Sequence, residues 1–181
     1  MKDNFDQCLA LLLKHEGGYV NHPADPGGRT NLGVTQRVWE EYVGHPVTEA
    51  DMRALGPKDV APLYKQRYWD AVRGDVLPTG VDYSVFDIAV NSGVGRAAKI
   101  LQKAIGVAPD GAIGPATLGA VSESDPAELI ISVCRARQAF LESLQTFSTF
   151  GKGWTRRVNE VQAKALAMHQ EPELPLTRSN V

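Results

Sequence analysis

"HEGGYVNHPADPGGRT", residues 15–30, is the stretch whose reading decides the fold. An amphipathic helix runs into it, because Phe5, Cys8, Leu9, Leu12 and Leu13 recur at helical spacing and make one apolar stripe. Asn4 and Gln7 have the spacing of a capping box at its start. Gly17 and Gly18 stop it, which leaves Glu16 at the helix C-terminus. Beyond, Pro23, Pro26, Gly27, Gly28 and Gly33 exclude a helix and point to a short hairpin or an ordered loop.

Downstream, every regular segment is expected to be helical. Thr35 caps one helix, "TEAD" at 48–51 opens a short second one, and a third covers 58–71, where Pro62 is tolerated only near a first turn or a kink. Residues 81–92, "VDYSVFDIAVNS", are apolar on most faces, as a central buried helix would be. Helices follow over 95–105, from Asp125 and Pro126 onward, and from about 154 to 169, while the tail 171–181 shows no periodicity and is expected to be disordered. The fold class is therefore all-α, mainly helical, with one small β-hairpin or loop after the first helix.

Composition narrows the function. The chain of 181 residues carries 43% hydrophobic and 22% charged residues, enough for a real core, and its net charge of −2 speaks against a nucleic-acid partner. The apolar run 8–13 is too short to insert stably in a membrane. "MKDNFDQ" lacks the basic segment of a secretory signal, so synthesis in the cytoplasm is expected. Cys8 and Cys134 fall at apolar helix positions and read as buried free thiols. "HEGGY" begins like a zinc-binding H-E-x-x-H but has Tyr19 where the second histidine must stand; neither metal nor cofactor is expected.

The chemistry lies in the acids. A helix C-terminus disfavours an ionised carboxylate, so Glu16 is suited to giving a proton to a leaving oxygen. Asp25, in a polar turn, is suited to accept one, and Thr30 offers a hydroxyl that can hold a water. Acid, base and water-holder on one connected segment are what an inverting glycosidase requires. The same residues also fit a solvated glutamate before a plain "DPGG" turn.

"EGGYVNHPADPGGRTNLGVT" resembles the signature of the glycoside hydrolase family 108 muramidases, found in phage endolysins and related cell-wall enzymes. The resemblance implies a lysozyme-like fold with Glu16 as the essential catalytic residue. The Glu16, Asp25, Thr30 spacing is similar to the triad of phage lysozymes, with one residue fewer before the threonine. "FDIAVNSGVGRAAKILQ" at 86–102 is similar to the end of the family's catalytic part, and "VAPDGAIGPATLGAV" at 107–121 to a peptidoglycan-binding segment. The implied organisation is a catalytic segment at 1–92 and a helical binding segment at 93–170, packed as one body.

The resemblance implies a monomer acting on peptidoglycan glycan strands. It would cut the β-1,4 bond between N-acetylmuramic acid and N-acetylglucosamine, reaching the wall after holin-type permeabilisation of the membrane. Candidate substrate contacts are Tyr19 by stacking, Arg29 toward muropeptide carboxylates, Asn91 through its amide, and Asp110 in the "APDGAIGPAT" loop. Asp87 is expected to satisfy a buried partner, and Trp39, Trp69 and Trp154 to serve the core. The alternatives are a non-catalytic peptidoglycan-binding or secretion-assisting protein, and a lytic transglycosylase, which would not need Asp25.

Overall fold

The computed structural model describes residues 4–21 and 28–171. Asp25 and residues 172–181 lie outside the described residues, as do the expectations attached to them. The first helix, α1 (Asn4–Glu16), ends where expected: Glu16 is its last residue and Gly17 follows at φ 68. The hairpin is short, with β1 (Thr30–Asn31) antiparallel to β2 (Val34–Thr35) and an isolated bridge between Val20 and Thr30.

Eight more helices follow among the described residues: α2 (Gln36–Val43), α3 (Glu49–Ala54), α4 (Pro57–Tyr64), α5 (Val81–Ser92), α6 (Val94–Ala104), α7 (Pro115–Ser122), α8 (Pro126–Glu142) and α9 (Phe147–Gln170). Local chemistry starts several of them. Thr35 accepts from the Val38 N–H, Thr48 and Asp51 form a reciprocal capping box, and Asp125 accepts from Glu128 N–H ahead of Pro126. Asn4 does more than begin α1, since its amide donates to Thr79 and Asp82 and ties the helix to the entry of α5.

Two boundaries differ from the sequence reading. The helix expected over 58–71 leaves α-geometry after Tyr64 and continues as a wider π-turn, Lys65–Trp69. Pro62 has no N–H to give, and its ring crowds the preceding turn, so the ladder loosens there. Helix α9 starts at Phe147, seven residues before the expected 154. Gly151 sits against the Phe147 ring, where a Cβ would come within 2.8 Å, so packing carries a stretch with weak helix propensity.

Helix α5 is the axis of the molecule. Val81, Asp82, Tyr83, Ser84, Val85, Phe86, Asp87, Ile88 and Ala89 are all buried. It packs against α1, α6, α8 and α9, and α8 runs along α9. Phe5, Trp69 and Phe86 meet edge-to-face with centroids 5.4–6.0 Å apart, joining α1, the π-turn and α5. Both cysteines are free and buried. No described helix is long and apolar enough to cross a membrane.

Candidate active site

The end of α1 and the start of the hairpin present Glu16 at the rim of the molecule. Its side chain keeps 19% of its surface exposed. Arg157, from the middle of α9, donates through Nη2 to Glu16 Oε1 at 2.8 Å. That opposite charge offsets the negative pole of the helix end. The same guanidinium reaches Asp87 of α5, with Nη2 at 3.0 Å from Oδ1 and Nε at 3.2 Å from Oδ2. Arg137 of α8 completes the chain as an ion pair of 2.7 Å with Asp87, both side chains being sealed from solvent. Asp87 thus satisfies buried partners, as its type and helix suggested.

Two acids and two guanidiniums balance in charge. Burial would push the Asp87 carboxyl up, but Arg137 and Arg157 together hold it below the usual carboxylate range. Arg157 responds in the opposite sense: burial disfavours its charge, and the two carboxylates outweigh burial and raise it further. The result is a strut from α8 through α5 to α9 whose outer end holds Glu16. Arg157 grips Asp87 through two nitrogens and Glu16 through one, so the guanidinium that meets Glu16 is itself braced from behind and limits where that carboxylate can turn.

The hairpin tip closes on Glu16 from the other side. Leu32 at φ 50 and Gly33 at φ 76 form the tight turn, in the left-handed region that suits a two-residue hairpin. A Cβ at Gly33 would stand 2.6 Å from Tyr64 Oη and 2.9 Å from Glu16 Oε2, so only glycine admits this approach. Tyr64 donates its hydroxyl proton to Leu32 O at 2.8 Å and pins the turn. Burial, and then the charge of Glu16, push that hydroxyl above its usual range, so it remains a donor.

The other sequence candidates fall into three places. Tyr19 and Arg29 both meet Glu49 of α3: the Tyr19 hydroxyl donates at 3.1 Å, and Arg29 Nη2 stands 3.4 Å away. One face of the Tyr19 ring is covered by the Arg53 guanidinium at 3.9 Å, and Arg29 also donates to Gln36. Thr30 begins β1, with its N–H and C=O both bonded to Val20 at 2.8 Å. Asn91, at the end of α5, accepts from Arg137 at 3.4 Å and so adjoins the strut that holds Glu16. Asp110 lies apart, on the loop between α6 and α7, accepting from Gln102 and from the Ala112 N–H.

Arg157, Arg137 and Tyr64 were not singled out in the sequence, and Gly33 was named there only as a residue that breaks helix. Arginine on a helix is ordinary, and the contacts of Arg157 span 70 residues to Asp87 and 141 to Glu16. Gly33 alone carried a local signal, as a glycine flanked by strand-forming residues. Trp69 is a core residue, fully buried and bonded to Asp75, while Trp39 and Trp154 are partly buried and packed against the core, Trp154 also lining a surface cleft beside Arg157. Among the described residues no group of three or more histidines, cysteines or acids is placed to hold a metal ion.

Comparison with known proteins matches this architecture part by part. Residues 9–93 fit the family described as Glycosyl hydrolase 108, and residues 96–159 the family described as Predicted Peptidoglycan domain. The solved structure of SagA from Brucella abortus is similar over 96% of this chain and 100% of that one, at 44% identity and a TM-score of 0.83. No curated protein matches the chain. The chain belongs to the glycosyl hydrolase 108 family and carries a C-terminal peptidoglycan-binding segment. It is a glycosidase that acts on peptidoglycan.

Proposed function

We propose that the enzyme is an N-acetylmuramidase in which Glu16 protonates the leaving oxygen of the β-1,4 bond between N-acetylmuramic acid and N-acetylglucosamine. The observation that carries this reading is the seating of Glu16: a rim carboxyl, fixed by Arg157 behind it and by the Gly33 turn beside it. An acid that must meet one substrate oxygen gains from such fixing, because misplacement by an ångström costs much of the rate. Asp25 is the base in this scheme and activates a water on the opposite face of the sugar, helped by Thr30. The product is then a reducing end of inverted configuration.

Digestion of purified sacculi tests the assignment. Glu16→Gln keeps the shape of the side chain and cannot give a proton, so turnover is expected to fall by about 10²–10⁴-fold with unchanged sacculus binding. Wild-type products should carry borohydride-reducible muramic acid. A 1,6-anhydromuramic product, or full activity in Asp25→Asn, overturns the inverting scheme and turns the reading toward a lytic transglycosylase. The phage-lysis setting rests on the family resemblance alone. On that reading expressed protein lyses cells only after chloroform or a holin opens the membrane, and lysis on expression alone contradicts it.

A further inference from the structure

A cleft of about 520 Å³ opens beside Arg157, between the end of α1, the end of α5 and the first half of α9. Lys14, His15, Asn91, Trp154, Arg156 and Arg157 line it. Its one lining acid is Glu160, which stands 3.7 Å from His15. Arg157 is neutralised by Glu16 and Asp87. Lys14 and Arg156, by contrast, have no ion-pair partner among the described residues. Asn91 uses its carbonyl oxygen toward Arg137, which leaves the amide N–H groups as donors. The cleft therefore offers two cations without an ion-pair partner among the described residues, one acid beside His15, and an amide donor, next to the arginine that holds the proposed acid.

Muramic acid differs from the other sugar of the strand by the lactyl group, from which the peptide stem extends with free carboxylates. We propose that this cleft is a subsite for the carboxylates of the peptide stem, recognised by Lys14 and Arg156 with Asn91 as a neutral donor. The proposal deepens the muramidase reading and rests on it for the placement of the sugar. Trp154, stacked on Phe150 at 5.7 Å, supplies an apolar wall against which the methyl groups of stem alanines fit. Charge-assisted hydrogen bonds to a carboxylate are the strong kind, and a cleft concentrates the field of its cations. Arg29 and Arg37 are less suited to this work, because each already faces an acid, Glu49 and Glu41 respectively.

The test uses the full chain and two preparations of one Gram-negative murein. One is intact; the other is stripped of its stems by an N-acetylmuramoyl-L-alanine amidase, which removes the stem carboxylates and leaves only the lactyl carboxylate on each muramic acid. Wild type should show kcat/KM about tenfold higher on intact strands, with the difference mainly in KM. In the double variant Lys14→Gln/Arg156→Gln this preference for intact over stripped strands should collapse, with the melting temperature unchanged. A double variant that keeps the preference, or a wild type that never had it, overturns the subsite. Sacculus binding by Glu16→Gln reads the cleft without turnover. Tighter binding to intact than to stripped murein, lost on adding the two cleft substitutions, supports the subsite even if the reaction assigned to Glu16 is wrong. Equal binding to both preparations refutes the subsite even if that reaction is right.

Discussion

Two polar networks in this molecule are built from similar parts and serve opposite ends. Around Arg157, charged side chains from α1, α5, α8 and α9 meet across long sequence separations, and the chain of contacts ends at a partly exposed acid. Around Gln102, a buried amide donates to Asp110, Ala112 O and Thr117 and accepts from Gly111 N–H, all within 15 residues. The second network closes on itself and shapes a loop. The first is sealed from solvent at Asp87 and Arg137 and open at Glu16, so the stability of its buried part becomes precision at the rim.

The largest effect expected from this contrast is at Asp87. Removing it leaves Arg137 buried without a counter-charge, and breaking such a pair from one side costs about 3–5 kcal/mol. Urea unfolding of Asp87→Ala should register that loss, and activity should fall with it because Arg157 loses its brace. The pH dependence follows from the direction of the shift. The folded-state carboxyl lies below its unfolded value of about 3.9, so its contribution is complete above that pH and vanishes as pH falls through the folded value. Wild type should therefore lose stability more steeply than Asp87→Asn on acidification below about pH 4. Parallel curves would mean that the inner acid is not what braces the outer one.

A smaller and sharper effect is expected at Gly33. Alanine there must hold φ 76, a strain of about 1–3 kcal/mol, and must also push on Tyr64 and Glu16. Gly44 separates the two costs, since it has φ 80 and nothing within 4 Å of an added Cβ. Gly33→Ala and Gly44→Ala should both lower the melting temperature, but only Gly33→Ala should lower kcat on sacculi. Equal activity in the two variants would show that the hairpin tip does not set the position of the acid.

The same contrast explains what the sequence made legible. Helix α1 and its stop, the caps at Thr35, Thr48 and Asp125, and the buried face of α5 are written in neighbouring residues and could be read directly. Glu16 was readable because its place depends on the two glycines after it. Arg157 was not, since nothing near it in sequence marks it off from Arg156, and only the packing of α9 on α5 decides which one turns inward. The start of α9 was missed for a related reason: Ser148, Thr149, Gly151 and Gly153 argue against a helix locally, and the ring of Phe147 over Gly151 overrides them. The turn that the sequence assigned to Asp25 lies outside the described residues, so the pairing of acid and base rests on chemistry and resemblance.

The smallest effect is expected at Asp110, where the closed network meets solvent. Sequence alone allowed this acid to touch glycan or to fix the loop between two helices. Its Oδ1 accepts from Ala112 N–H and from Gln102, and the first of these, then the second, holds its carboxyl below the usual range. Both oxygens of a carboxylate can still accept from outside, so these contacts do not occupy it fully. They do fix which way it turns. Asp110→Ala should quicken hydrogen exchange at Gly111 and Ala112 while leaving sacculus binding and the melting temperature nearly unchanged, because the freed donors on this exposed loop can bond to water. If binding instead fell about tenfold while those two amides kept their protection, the side chain would be holding murein rather than its own loop. The network around Gln102 would then be open at one end too, and what sets Glu16 apart would be its brace rather than its openness.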